Sequence, residues 1–116
     1  MKRILGASVL ALALLASAAL AQIKPQSSVN LASTLAATGP FQSIAVYDAN
    51  RSGCTVQNTS ANAQYVFFGP IASATIAKSV KLLSGQSVGC NAGPLVLTDQ
   101  ISISGTSGDT FYAATQ

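Results

Sequence analysis

Two cysteines, Cys54 and Cys90, are the residues of this chain best suited to covalent chemistry. A redox-active pair normally stands close together as Cys-x-x-Cys, whereas a long stretch of chain separates these two. The alternative is a structural disulfide between two strands. In the chain-entropy model, closing a loop of this length stabilises a fold by roughly 3–4 kcal/mol. The spacing therefore favours a structural disulfide, formed in an oxidising compartment.

Groups for acid–base or metal chemistry are scarce. The chain has no His and its three acidic residues are all Asp, so the commonest general base and metal ligand is absent. The carboxylates of Asp48, Asp99 and Asp109 fall beside predicted turns or between strands, where Asp typically accepts hydrogen bonds from the backbone. We therefore expect neither a metal site nor a pair of catalytic carboxylates.

One nucleophilic arrangement remains to be weighed, a Ser–Lys dyad. Lys78 stands next to Ser79, and Lys81 stands near Ser84. Serine is abundant in this sequence, so such neighbours are expected by chance, and lysines on an exposed strand also protect it against edge-to-edge pairing. No glycine-rich segment has the pattern of a phosphate-binding loop. We therefore predict a protein that is not an enzyme and that needs no cofactor.

Aromatic side chains are the remaining candidates for binding. In the run from Tyr65 to Phe68, strand alternation sends Tyr65 and Phe67 to one face and Phe68 to the other. Phe111 and Tyr112 likewise point to opposite faces. One set should fill the core. The other set is either covered by a flanking segment or exposed, where it could bind a sugar ring, a peptide or another subunit. The chain has no Trp, which weakens the carbohydrate interpretation.

The segment that precedes all these residues is typical of an export signal. Two basic residues, Lys2 and Arg3, come before an apolar run of about a dozen residues. Ala19-Leu20-Ala21 then places small residues at the positions that a signal peptidase inspects. We predict a signal helix and signal peptide over residues 1–21, removed on export to the periplasm or the outside of the cell. The alternative, a retained membrane anchor, would need a longer apolar run.

Removal of the signal leaves a chain that is nearly neutral. The whole chain carries +3, but Lys2 and Arg3 leave with the signal, so four basic residues then face three Asp and the net charge is +1. Such a surface has no field strong enough to steer nucleic acid or an anionic membrane. We expect neither of these as a partner, and instead expect a protein partner or self-association.

From residue 43 to the end, short runs of β-branched and aromatic residues alternate with polar or small ones. A period of two is typical of half-buried strands. Turn residues such as Gly69-Pro70 and Ser84-Gly85 separate the runs, the second pair being suited to a tight hairpin. The pattern predicts an all-β domain over residues 43–116. We expect an antiparallel β-sandwich, Ig-like or jelly-roll-like, with about seven or eight short strands.

Two segments are less regular. Residues 22–42 are rich in Ser, Ala, Thr and Gln, which predicts an extended arm or linker with at most one weak helical turn. If the protein self-associates, we expect this arm to add a strand to a neighbour's edge. In residues 71–81 some apolar residues fall at helical spacing, but the β-branched residues favour a strand. We predict a strand there.

The segment from Arg51 to Gly69 resembles small β-sandwich proteins encoded among bacteriophage and prophage structural genes. In that group an Arg opens a strand that ends in Gln-Asn, as Gln57-Asn58 does here, and a second strand ends near a Gly. The turn Leu83-Ser84-Gly85-Gln86 and the strand and turn over 100–110 are similar too. The resemblance implies a non-catalytic module attached to a virion or filament. The export signal and the cysteine pair depart from that group and suit a relative that works in the periplasm or outside the cell.

Two functions are consistent with these features. The leading hypothesis is a small exported β-sandwich, held by a disulfide, that acts as a structural or assembly subunit. The alternative is a monomeric binding or inhibitor module that uses the turns Asn58 to Asn62 and Gly105 to Asp109, because sandwiches often carry function on loops at one end. An enzyme that uses Ser and Lys ranks third.

Overall fold

A computed structural model describes residues 28–116 of the protein, and this part is all-β with antiparallel sheets. The predicted signal peptide and its cleavage site lie outside the described residues. The strands are β1 Val29–Asn30, β2 Ser33–Thr34, β3 Gln42–Ala45, β4 Cys54–Asn58, β5 Gln64–Phe68, β6 Val80–Leu82, β7 Ser87–Gly89, β8 Asn91–Ala92, β9 Leu95–Val96, β10 Ile101–Ser104 and β11 Thr110–Thr115. No helix in this range is long and apolar enough to cross a membrane.

Most of the strands belong to two sheets. In sheet A the order is β1-β11-β4-β7, and β2 also pairs with β11. In sheet B the order is β3-β10-β5-β6. Strands β8 and β9 form a separate two-stranded hairpin. Every pairing is antiparallel, as the sequence pattern predicted.

One cluster of buried apolar residues receives side chains from both sheets. Val56 and Ala113, which face each other across β4 and β11, come from sheet A. Val66 and Ile103, which face each other across β5 and β10, come from sheet B together with Ile101. Fully burying one such aliphatic side chain stabilises a fold by roughly 1.5–3 kcal/mol. The alternation of apolar and polar residues therefore produces the shared core, and the all-β prediction is confirmed.

The number of strands differs from the prediction. The described residues contain eleven strands rather than seven or eight, and four of them, β1, β2, β8 and β9, have only two residues. A two-residue strand is too short to show a period in the sequence, because its pairing is decided by the distant strand beside it.

Part of the predicted arm lies against the protein's own sheet. Val29 is in register with Thr115, and Thr34 is in register with Thr110, so this stretch is extended and paired with β11. Leu35 follows and is only 2% exposed. A Cβ atom on Gly105 would come within 2.7 Å of the Leu35 Cδ1 atom, so the absence of a side chain at 105 makes room for Leu35. Leu35 therefore anchors this end of the described chain in the core.

Residues 71–81 differ from the predicted strand. Two 3₁₀ turns, Ile71–Ser73 and Ile76–Lys78, occupy most of the segment, and the strand β6 begins only at Val80. The Ser73 N–H donates to the Pro70 carbonyl at 2.9 Å and closes the first turn. Proline at this point favours a turn because its ring fixes φ, and the alanines that follow are poor strand formers. The β-branched residues were therefore outweighed by their neighbours.

The turn at Ser84-Gly85 forms, but it does not close a hairpin. The Gln86 N–H donates to the Leu83 carbonyl at 3.0 Å, and Gly85 has φ +78°, a conformation that favours glycine. The strand before it, β6, belongs to sheet B, and the strand after it, β7, belongs to sheet A. The turn is therefore a corner that carries the chain from one sheet to the other.

The predicted disulfide between Cys54 and Cys90 is confirmed. It joins the first residue of β4 to the residue after β7, and these strands are neighbours in sheet A. The two Cα atoms are 5.1 Å apart, and the Cys90 N–H donates to the Cys54 carbonyl at 3.3 Å. The bond is compatible with an oxidising compartment outside the cytoplasm.

Candidate functional site

The three aspartates are spread over the described part of the fold. Asp99 and Asp109 flank β10 at opposite ends, and the Asn62 side-chain amide donates to Asp109 Oδ1 at 2.9 Å. Asp48 lies on the loop next to Asp99, because the Asp48 N–H donates to the Thr98 carbonyl at 2.9 Å. Sequence reasoning missed this proximity of Asp48 and Asp99, and both are exposed. Within residues 28–116 no three His, Cys, Asp or Glu residues gather as a metal site.

In one of the two Ser–Lys pairs of the sequence, Lys78-Ser79, the serine hydroxyl is hydrogen-bonded to the backbone. The hydroxyl of Ser79 donates to the Thr75 carbonyl at 2.6 Å, inside the second 3₁₀ turn. A serine hydroxyl has one proton, so the Ser79 proton is held by that carbonyl and not by a lysine amine. Lys78 and Lys81 are both exposed. The arrangement is that of a capped turn with solvated lysines.

Arg51 has a structural position that sequence reasoning did not assign. Its guanidinium is buried and donates to the carbonyl oxygens of Leu97 and Asp99 at 3.2 and 2.6 Å, and to that of Val46 at 2.7 Å. It therefore joins the loop after β3 to the segment between β9 and β10. Val46 and Tyr47, at 72% and 63% exposure, are presented to solvent by the loop that Arg51 holds.

The five aromatic residues predicted as an interaction surface do not form one exposed patch. Phe111 is buried in the core, and Phe68 packs against the core. Phe67 lies on the opposite face of sheet B, where it is buried with Phe41 against it, at a ring-centroid distance of 6.3 Å. Tyr65 is half-buried, and Tyr112, on the outer face of sheet A, is 38% exposed. Tyr112 is therefore the one of the five that is most open to a ligand.

The two loops proposed for a binding module lie side by side. The hydroxyls of Thr59 and Thr110 are 2.8 Å apart, and Asn62 donates to Asp109. Asn58 is fully buried, and its side-chain amide donates to the carbonyls of Asn62 and Leu82 at 2.7 and 2.9 Å. Many polar groups of these loops are thus used to hold the loops together.

A concentration of exposed apolar side chains marks one edge of sheet B. Of the nine large hydrophobic side chains that are exposed in the described residues, four lie in positions 71–83, at 36–55% exposure. We call these four the apolar edge: Ile71, Ile76, Val80 and Leu83. Strand β6 lies in their midst and has one described neighbour, β5. An edge strand has one side without a strand partner. The Leu82 carbonyl of β6 accepts from the Asn58 side-chain amide, so this edge combines apolar surface with an outer side whose backbone groups are only partly used.

Comparisons with protein-family models, with curated proteins and with solved structures found no match to this chain. The resemblance to phage structural proteins therefore stays a prediction.

Proposed function

We propose that the protein is an exported, non-enzymatic β-sandwich that acts as a structural or assembly subunit, and that copies associate through the apolar edge. The sandwich is supported by the core, because sheets A and B contribute buried side chains to the same cluster. Export is supported by the signal-like N-terminus and by the disulfide. The observation that carries the function is the edge strand β6, flanked by exposed aliphatic side chains.

The energetics favour association that depends on concentration. Fully burying a Val, Leu or Ile side chain contributes roughly 1.5–3 kcal/mol, so four side chains that are already half-buried would contribute about 4 kcal/mol. Each new backbone hydrogen bond along β6 adds about 0.5–1.5 kcal/mol. Association loses about 4–15 kcal/mol of translational and rotational freedom and side-chain ordering. These terms nearly balance, so we expect a reversible assembly that grows at high local concentration.

The directions of the strands indicate how copies would join. All neighbours in sheet B are antiparallel, so its two edge strands, β3 and β6, run in opposite directions. If a second copy is shifted sideways, across the strands and in the plane of the sheet, its β3 therefore lies antiparallel to β6 of the first copy. A contact between two different edges leaves one unused edge at each end of the assembly. Repeated contacts therefore give an open row of subunits that twists with the sheet, unless the rotation from one subunit to the next closes a ring.

The alternative contact, β6 against β6 of a second copy, is disfavoured by charge. Lys81 is the middle residue of this three-residue strand, so a two-fold axis at its centre would set one Lys81 directly opposite the other. Like charges directly opposite each other destabilise a strand pair. Strand β3, Gln42–Ala45, has no charged residue, so it accepts β6 without this repulsion.

The mass of the purified protein in solution tests this proposal. Light scattering should show a monomer at low concentration and a series of larger species, without a fixed upper size, at high concentration. The double variant Val80→Lys/Leu83→Lys should stay monomeric, because it adds charge to the apolar edge. Leu95→Lys is the matched control, since Leu95 is exposed but lies in the β8–β9 hairpin. A monomer at every concentration would contradict the proposal. An equal loss of the larger species in Leu95→Lys would contradict it as well.

A second candidate function is a monomeric binding module, and one observation favours it. Val46 and Tyr47 are exposed on the loop that Arg51 holds, and they line a hollow of about 420 Å³ together with Pro70 and Gln100. A volume in this range is typical of small-ligand sites. A stable monomer whose partner is lost in Tyr47→Ala would support this function instead.

A further inference from the structure

A second hollow lies on the outer face of sheet A, and we call it the polar hollow. It has a volume of about 330 Å³ and is open to solvent. The residues that matter to its chemistry are Ser52, Thr55, Asn91, Tyr112, Ala114 and Gln116. They come from the start of β4, the residue after the disulfide and the end of β11. The polar hollow is separate from the apolar edge, which belongs to sheet B.

The register of sheet A explains why the surface is concave here. Ala114 is in register with Thr55, and the neighbouring Gly53 has no side chain, so small residues form the floor. Tyr112 stands two residues before Ala114 on the same face of β11, and it rises beside this floor as a wall. The contrast of a large ring next to small residues makes the hollow.

The rim is held in place by the fold. Asn91 follows Cys90 directly, so the disulfide fixes the point from which Asn91 projects. The backbone N–H of Gln116 donates to the Gly53 carbonyl at 2.9 Å, and the N–H of Ser52 donates to the Gln116 carbonyl at 2.7 Å. Both side-chain amides, of Asn91 and Gln116, belong to exposed residues. The backbone positions that carry these two amides are therefore held by the fold.

The lining selects the chemical class of the ligand. Among the residues that the structure describes, no Lys, Arg, Asp or Glu lines the polar hollow, so a charged ligand would find no partner of opposite charge among them. A purely apolar ligand would cover hydroxyl and amide groups without hydrogen-bonding them, which is unfavourable. An amide both donates and accepts hydrogen bonds, as a pair of neighbouring sugar hydroxyls requires. The ring of Tyr112, 38% exposed, offers an apolar face for the C–H groups of a sugar ring.

We propose that the polar hollow binds a short segment of neutral carbohydrate, with Tyr112 stacked on one sugar ring and with Asn91 and Gln116 hydrogen-bonded to its hydroxyls. The proposal does not depend on self-association, because the apolar edge lies in the other sheet. It also gives Tyr112, on the outer face of the sheet, a role that core packing does not.

Soluble neutral oligosaccharides are the probes for this proposal. The purified protein is titrated separately with cellotetraose, maltotetraose and the N-acetylglucosamine tetramer, and backbone amide shifts are followed by NMR. At least one probe should shift amides of residues 52–55, 91 and 112–116. Tyr112→Ala should weaken that binding by about tenfold or more, equal to ~1.4 kcal/mol. Tyr112→Phe should retain most of it, because the ring face remains.

Lys78→Ala is the control, because Lys78 is an exposed side chain that does not line the polar hollow. Its affinity for the oligosaccharide should equal that of the unchanged protein. All variants are first compared by thermal unfolding, so that a loss of binding is not confused with a loss of fold. The proposal is overturned if none of the three probes shifts these amides. It is equally overturned if binding survives Tyr112→Ala undiminished, or if Lys78→Ala weakens it as much as Tyr112→Ala does.

Discussion

The disulfide between Cys54 and Cys90 gives the prediction whose magnitude can be worked out most directly. The bond spans 36 positions of sequence. In the chain-entropy model, releasing a loop of that length returns about 13 cal/mol/K to the unfolded chain, which is about 4 kcal/mol at 25 °C. Domains of this size are stable by only about 5–15 kcal/mol, so the bond accounts for a large share of the total.

The perturbation is the double variant Cys54→Ala/Cys90→Ala, studied by urea unfolding at 25 °C. Small proteins lose about 1–3 kcal/mol of stability per molar urea, so a loss of about 4 kcal/mol moves the midpoint down by roughly 1.3–4 M. The slope should rise slightly, because the unfolded chain without its cross-link exposes more surface. The unchanged protein with its disulfide chemically reduced is the control, because it loses the bond but keeps the buried sulfur of Cys90.

Comparing the reduced protein with the double variant separates the effect of the cross-link on stability from the effect of side-chain packing. If the cross-link provides the stability, reduced protein and double variant should lose similar amounts. If only the double variant is destabilised, the effect comes from the cavity left by Cys90, and the entropic reasoning is refuted. A loss below about 1 kcal/mol in both arms would refute it as well, because the model requires several times that amount.

Two further predictions concern the residues that hold the loops. Arg51→Lys should lower the free energy of unfolding by about 2–4 kcal/mol, measured by urea unfolding, because an ammonium cannot reproduce a fork that serves three carbonyls. An unchanged midpoint would mean that the guanidinium does not join these loops. Leu35→Ala should cost about 2–5 kcal/mol, because Leu35 is buried, whereas Leu83→Ala at the exposed edge should stay within about 0.5 kcal/mol in the monomer. Equal losses in these two variants would show that residue 35 does not anchor the chain.

The sequence alone was enough to predict a strand wherever that strand is long enough to show its residue pattern. The run Ile101–Ser104 alternates between Ile and Ser, and Gln64–Phe68 is rich in aromatic and β-branched residues, and both form central strands of sheet B. The cysteine spacing was also sufficient, because two cysteines allow only one intramolecular pairing. The class of fold therefore followed from local patterns.

Other features of the fold could not be predicted from the sequence, and most of them depend on contacts between residues that are distant along the chain. Strand β2 has only two residues, and its place is fixed by β11, far along the chain. The segment at 71–78 became turns because Pro70 and the alanines act through local backbone geometry that a count of β-branched residues does not capture. The role of Arg51 was hidden because its three acceptors are backbone carbonyls, which leave no signature in side-chain types.

The candidate sites were harder to predict than the fold. Strand alternation correctly gave Phe111 and Tyr112 opposite faces, so one of them was expected to be open. It could not show that Phe41 would lie against Phe67, because that contact joins two separate strand regions. The polar hollow likewise combines residues 52–55, 91 and 112–116, which meet only through the register of sheet A.

Amide hydrogen exchange at low and high protein concentration tests the central claim, association through the edges of sheet B, most directly. If copies join as proposed, amides of β6, Val80–Leu82, and of β3, Gln42–Ala45, should both exchange more slowly as concentration rises. Amides of the β8–β9 hairpin, which takes no part in the contact, should exchange at the same rate throughout. Exchange in β6 and β3 that is independent of concentration, or protection confined to other strands, would contradict the account.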